Sequence, residues 1–274
     1  MPISNSDFNF IRELVFEHSA IVLEDGKEYL VESRLGPIIK TEGFDTIDQL
    51  VKALRKNPNN GLQYKVTEAL TTNETSFFRD IHPFETLKSI ILPELIKTRQ
   101  STKELNIWCA ASSSGQEPYS IAMLIHENFP SLFNWKINFI ASDISEKMLS
   151  RCRSGTFSQI EVNRGLPAAL LIKYFDKSGP VWTIKKELRD KINFQHINLS
   201  EKLPYLPGMD IIFLRNVLIY FDIRMKKKIL KQLRSVLKPD GYLFLGGAET
   251  TLNLDESYTR MGVKYSGCYR LLRG

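Results

Sequence analysis

Through residues 1 to about 95 the apolar positions recur at helical spacing. Phe8, Ile11, Leu14 and Val15 share one face of a first helix that Ser6 or Asp7 can cap. Thr46 with Gln49 makes a capping box ahead of Ile47, Leu50, Val51 and Leu54, and Leu62, Val66, Ala69 and Leu70 give a third helical face. The segment 70–80, LTTNETSFFRD, has little period of either kind and reads as a linker or the wall of a site; its adjacent phenylalanines argue against a solvated hinge. A new helix begins at Pro83, with Phe84, Leu87 and Ile91 on one side. From 105 onward strand and helix alternate. LNIWCAASSSGQEPYSIA (105–122) reads as strand, tight turn and helix, and 137–141 is an apolar strand ended by Ser142 and Asp143. Residues from about 154 to 191 interrupt the alternation with a small β excursion around a Gly-Pro turn. Strands resume at 192–194 and 209–214. A helix over about 223–237 ends in a Lys238-Pro239-Asp240-Gly241 turn, 242–245 is a further strand, and 263–272 suggests a closing hairpin.

This pattern predicts an α/β fold. A doubly wound, Rossmann-like domain over 81–274 carries a small β insertion at about 172–191, and a small all-helical domain with its linker occupies 1–80. The length of 274 residues and a 43% hydrophobic share suit that division and supply a sizeable core. No apolar run is long enough to span a bilayer, and no charged-then-apolar amino terminus resembles a signal peptide, so the expected location is cytoplasmic and not membrane-embedded. Cys109, Cys152 and Cys268 are odd in number and far apart, which argues against a disulfide framework or a zinc cluster. The four histidines lack metal-ligand spacing, so no metal is expected. A net charge of +6 fits an anionic partner, either nucleic acid or an acidic protein surface.

Candidate chemistry concentrates at the expected strand ends. Small residues in the turn after the first strand let backbone approach a ligand, although an ordinary βα loop reads the same way. Asp143 at the tip of the second strand can accept hydrogen bonds from two ribose hydroxyls, or cap a helix, a task Ser145 can already perform. Arg215 and Asn216 interrupt an otherwise apolar run and need partners, for which a cofactor edge is one candidate. Arg34 stands among apolar residues, where an arginine is commonly solvated or snorkelling.

Five segments, TTNETSFFRD, WCAASSSGQEPYSIA, ASDISEKML, HINL and FLRNVLIYFD, occur here in an order and at a spacing that resemble the bacterial chemotaxis receptor methyltransferases of CheR type. The resemblance covers nearly the whole chain. It implies S-adenosylmethionine as methyl donor, S-adenosylhomocysteine as product, no metal, and glutamate side chains on the cytoplasmic domain of methyl-accepting chemoreceptors as acceptors. By position it implies cofactor contacts from Asn73, Thr75, Arg79, Glu117, Asp143, Asn198, Leu199, Arg215 and Asn216, and places Arg34, Arg79 and Tyr220 at the reacting carboxylate. Two departures stand out: Gln116 occupies a position where many relatives have glutamate, and GGAE at 246–249 lacks the histidine of GHSE-type relatives, which weakens any role for that loop. The insertion is shorter than in members that hold a receptor tail peptide, so weak tail binding or none is expected.

The implied reaction suits the residues present. A receptor glutamate with a pKa of roughly 4.3 is already ionised at neutral pH, so the site needs no general base and supplies alignment and water exclusion instead. The rival readings are a nucleic-acid methyltransferase, which the charge permits but the Leu214-Arg215-Asn216-Val217 segment disfavours, and a non-catalytic cofactor-binding adaptor in signalling.

Overall fold

The computed structural model describes residues 3–57, 61–263 and 267–272. Two compact units divide the chain: the residues up to Thr72 together with Tyr220–Lys226, and Asn73–Ile219 with the remainder from Lys227. The division falls between Thr72 and Asn73, ahead of the expected boundary at 80. Phe77, fully buried in the core of the larger unit, accounts for the difference.

The smaller unit holds helices α1 (Asn5–Ser19), α2 (Glu28–Thr41), α3 (Ile47–Lys56) and α4 (Leu62–Leu70). Their apolar faces meet in one core that includes Phe8, Ile11, Val15, Leu35, Leu50, Leu54 and Val66. The cap of α1 is Ser4, not Ser6 or Asp7: its hydroxyl accepts from the Asp7 N–H at 3.1 Å, and Asp7 takes its place in the acidic first turn. Thr46 caps α3 as its spacing predicts, and the Gln49 side chain reaches back to the Asp45 N–H at 2.8 Å, one residue earlier than in the expected capping box.

In the larger unit, α5 (His82–Thr86), a π-helical turn (Leu87–Ile91) and α6 (Leu92–Thr98) form one helical run with Pro83 in its first turn. The helices that follow are α7 (Gln116–Asn128), α8 (Glu146–Ser154), α9 (Gln159–Asn163), α10 (Ala168–Tyr174), α11 (Lys186–Arg189) and α12 (Ile223–Val236). They alternate with β1 (Glu104–Ala110), β2 (Lys136–Asp143), β3 (Thr156–Ser158), β4 (Phe175–Ser178), β5 (Val181–Ile184), β6 (Ile192–His196), β7 (Met209–Leu214), β8 (Leu237–Leu245), β9 (Tyr258–Arg260) and β10 (Gly267–Leu271).

Seven strands make a sheet in the order β6-β2-β1-β7-β8-β10-β9, parallel from β6 to β8 and antiparallel at β10 and β9. All six residues of β7 and six of seven in β1 are buried, as strands covered on both faces must be. The chain winds from β1 outward through β2 to β6 and then crosses to β7 on the other side of β1, so the strand order reverses between β1 and β7. Register brings Ala110 opposite Ser142, Asp143 opposite His196, and Leu214 opposite Leu245, which aligns the carboxyl ends of five strands. In such sheets ligands bind at this edge, beside the reversal.

The insertion is a separate three-stranded sheet, β3-β5-β4, whose β4-β5 hairpin turns at Gly179 and Pro180 as expected, while β3 joins from outside the expected range of 172–191. Two sequence expectations shift. The predicted Lys238-Pro239-Asp240-Gly241 turn is absorbed into β8, which bulges so that Leu237 pairs with Met209 and Tyr242 with Ile211. The closing hairpin pairs 258–260 with 269–271, so its first strand lies earlier than 263; residues 264–266 lie outside the described ones.

Candidate active site

The turn after β1 is built from small residues in left-handed backbone: Ala111 (φ 55°), Ser113 (φ 50°) and Gly115 (φ 97°). A side chain at Gly115 is disfavoured twice, by its φ and because a Cβ there would sit tightly, 3.1 Å from the Cys152 sulfur and 3.2 Å from the Tyr119 ring. Three further non-glycine residues with positive φ, Phe78, Asp80 and Ile81, sit together in the 73–81 segment, and Asn216 (φ 59°) follows β7. Each costs on the order of 1–3 kcal/mol, and such strain gathers at ligand-binding loops. Ser113 joins two of these loops to the sheet: its hydroxyl donates to the Asn73 carbonyl at 2.8 Å and its N–H to Asp143 Oδ2 at 2.8 Å.

Asp143 ends β2 at 5% exposure, with Oδ1 accepting from the Ser145 N–H at 2.9 Å. Burial raises its pKa, opposed by hydrogen bonds from the N–H groups of Ser145, Ser113 and Ile144. Ser145 caps α8 through the Met148 N–H, so Asp143 is not that helix's cap. Three N–H donors fill most of its acceptor capacity and leave room for a further donor.

The charged centre is Arg215. Its side chain is 2% exposed and donates to Glu117 Oε2 at 2.7 Å, Asp80 Oδ2 at 2.8 Å and the Arg79 carbonyl at 2.9 Å, and its Nε is buried without a partner. Glu117, in the first turn of α7, has a pKa raised by burial and opposed by Arg215 and, more weakly, by Arg79. Gln116 turns inward, accepting from the Ser114 hydroxyl at 2.8 Å, so its exchange for glutamate leaves the Glu117–Arg215 pair intact.

The predicted residues divide by unit. Asn73, Thr75 and Arg79 are half-buried in the segment before α5, and Arg79 donates to the Glu74 carbonyl at 2.9 Å. After β6, the Asn198 side chain accepts from the Ser200 N–H and hydroxyl and donates to Glu201, which folds the turn beside buried Leu199. Arg34 and Tyr220 belong to the smaller unit. The Arg34 guanidinium donates to the carbonyls of Leu70 and Thr71, each at 2.9 Å, and to the Thr72 hydroxyl at 3.1 Å, closing the carboxyl end of α4. The Tyr220 carbonyl accepts from the Val22 N–H at 2.9 Å.

Sequence reasoning missed three participants. Asp80 pairs with Arg215, Ser112 is buried in the turn after β1 with its hydroxyl against the Cys152 thiol, and Glu249 is buried with four backbone donors on its carboxylate. Glu249 had a signal in the sequence, an acid just after an apolar strand and two glycines. The two carboxylates suit a ligand with a cationic amine, for Glu117, and vicinal hydroxyls, for Asp143; the unpartnered Arg215 Nε offers a further polar contact. Among the described residues no group of three or more His, Cys, Asp or Glu side chains could hold a metal ion.

Comparison with known proteins gives the same answer. Residues 73–266 match the model of the CheR methyltransferase S-adenosylmethionine-binding domain, and residues 6–71 match that of the CheR methyltransferase all-alpha domain. The chain is 40% identical over 262 residues to chemotaxis protein methyltransferase Cher2 of Pseudomonas putida, covering 94% of this chain and 95% of the relative. Chemotaxis protein methyltransferase 1 of Pseudomonas aeruginosa is also 40% identical, with the same coverage. The chemotaxis protein methyltransferase of Escherichia coli is 33% identical over 267 residues, 96% of this chain and 90% of the relative. With matches across both units, the chain belongs to the CheR methyltransferase family.

Proposed function

We propose that this chain transfers a methyl group from S-adenosylmethionine to glutamate side chains on the cytoplasmic domain of chemoreceptors, leaving glutamyl methyl esters and S-adenosylhomocysteine. One observation carries the reading: the Glu117–Arg215 pair, of low exposure and joined by the exposed Asp80, at the β1/β7 strand reversal, in a chain of this family. S-Adenosylmethionine, when bound, supplies an electrophilic methyl group.

Everything else is the work of the chain. Glu117, paired with Arg215, holds the cofactor's amine, and Arg215 in turn fixes Glu117 and Asp80. Asp143 accepts from the ribose hydroxyls. Asn198 and Leu199 border the adenosine through backbone, since the Asn198 side chain is engaged in its own turn. Asn73, Thr75 and Asn216 line the same pocket. Arg79 orients the incoming carboxylate. The assignment of Tyr220 to that carboxylate rests on the motif resemblance alone. Arg34, whose guanidinium donates to the carbonyls at the end of α4, is assigned to the same carboxylate on the same ground.

The receptor glutamate arrives ionised, so the site abstracts no proton. Its contribution is to strip water from the carboxylate and hold it in line with the methyl group. Among the described residues no helix is long and apolar enough to cross a membrane, and we place the protein in the cytoplasm, acting on protein and not on nucleic acid. The test is methyl-labelled S-adenosylmethionine with chemoreceptor membranes. Base-labile label on the receptor is expected; base-resistant label, or label only on added DNA or RNA, rejects the reading.

A further inference from the structure

Glu249 lies just beyond β8 at 8% exposure, and its carboxylate is filled by main chain from two loops. Oε2 accepts from the N–H of Gly246 at 2.6 Å and of Asn216 at 2.8 Å; Oε1 accepts from Val217 and Leu218, each at 2.7 Å. Three of the four donors are consecutive residues after β7, in the turn that carries Arg215 and the left-handed Asn216. A buried anion held by peptide N–H groups fixes those groups as firmly as they stabilise it.

Gly246 belongs to the same device. A Cβ there would lie 2.7 Å from Glu249 Oε2, 2.8 Å from the Asn216 nitrogen and 2.9 Å from Asn216 Nδ2, so the contact between the loops closes only on glycine. At Gly247 a Cβ would meet nothing within 4 Å. The departures from the GHSE pattern therefore fall at Gly247, which has open space around it, and at Ala248, while Gly246 and Glu249, the two positions that form the contact, are filled as the contact needs.

We propose that Glu249 is a positioning residue for the cofactor: it holds the 215–218 turn in the shape that presents Asn216 and keeps Arg215 on Glu117. This rests on the reading of Arg215 and Asn216 as cofactor contacts. Three of the four N–H bonds come from Asn216, Val217 and Leu218, so the carboxylate spans the turn that is left-handed at Asn216. An amide at 249 keeps the volume but has one acceptor oxygen, and it turns a donor toward N–H groups that need acceptors.

The experiment measures S-adenosylhomocysteine affinity by calorimetry on the whole purified protein, well below each variant's own unfolding midpoint. Glu249→Gln is expected to weaken binding about tenfold or more, the scale of lost hydrogen bonds to a charged group. Gly246→Ala weakens it in the same sense, and Gly247→Ala leaves it within about twofold. Asp210→Asn, at the far end of the strands, lowers the midpoint but also binds within about twofold, which separates positioning from simple stability. Folded Glu249→Gln that binds like the unsubstituted protein overturns the proposal, and where that variant does not fold, Gly246→Ala with unchanged affinity does so. Asn216→Ala distinguishes the underlying reading: unchanged affinity there removes Asn216 as a contact, whereas loss there without loss at 249 removes only the role of Glu249.

Discussion

Glu117 carries its charge at a cost. Its side chain is 13% exposed, and burial raises its pKa above the ordinary 4.5 despite the guanidinium of Arg215. For a carboxyl raised in the folded state, the stability it contributes is fully present below the unfolded value and is lost as pH rises through the folded one. Ionising this carboxylate works against its desolvation, and a bound amine offsets that penalty. S-Adenosylhomocysteine, which keeps the amine, should lose affinity on acidification, with the fall beginning above pH 4.5. Glu117→Gln should lower affinity at pH 7 by about tenfold or more, from ~1.5–3 kcal/mol for a hydrogen bond to a charged group, and should flatten the acid limb. Calorimetric titration over that range decides it, and an equally steep acid limb in the variant would remove Glu117 from the amine. The three thiols behave oppositely as chemistry: Cys109, Cys152 and Cys268 are buried, and burial pushes the Cys152 and Cys268 pKa values up to about 12, which keeps them protonated and inert.

At the scale of elements, the two ends of the parallel strands are fastened differently. The carboxyl ends carry the groups proposed to hold the cofactor, and the amino ends are closed by Asp210, which is fully buried in β7. Its carboxylate accepts from the Asn106 N–H of β1 at 2.8 Å, from Arg99 Nε at 2.8 Å and from Lys238 Nζ of β8 at 2.8 Å, while Arg99 forks onto Asp240 at 2.6 and 2.8 Å. Removing one partner from a buried ionic cluster costs about 3–5 kcal/mol, so Asp210→Asn should lower the unfolding midpoint by roughly 10 °C, read by calorimetry. This cluster also explains a misread element. Lys238, Pro239, Asp240 and Gly241 have turn chemistry, but Lys238 and Asp240 are taken up by Asp210 and Arg99, and the chain bulges through them into β8 instead of turning. Where local signals and tertiary partners agree, the sequence is legible: the strand, small-residue turn and helix of 105–122 are β1, its loop and α7, and Asp143 stands at the tip of β2. The partners of Glu249 and Asp80 were not legible: that of Asp80 lies 135 residues away, and three of the four N–H groups bound by Glu249 lie 31 to 33 residues away in the turn after β7, where no side-chain pattern records them.

Over the whole molecule the positive excess is unevenly spread. Residues 1–80 carry 9 Lys and Arg against 13 Asp and Glu, which leaves 28 against 18 for residues 81–274. The helical segment is thus acidic, and the basic character belongs to the part that holds the methyltransferase fold. Within it, α12 has six Lys or Arg and no acid, and Arg224, Lys227, Lys228 and Lys231 are exposed. A glutamate-rich receptor surface approaching such a molecule is drawn by solvent-exposed charge, which salt screens; the cofactor is held by buried groups, which salt screens far less. Raising ionic strength from about 0.1 M to about 1 M shortens the screening length from ~10 Å to ~3 Å. Over that range the KM for receptor should rise several-fold, while kcat and S-adenosylhomocysteine affinity change by less than about twofold. Steady-state methylation of receptor membranes across a salt series, paired with calorimetry on the free enzyme, separates the two. A KM that stays flat would show that receptor capture does not depend on this charge, and a parallel loss of cofactor affinity would show that the Glu117–Arg215 centre is wetter than its burial implies.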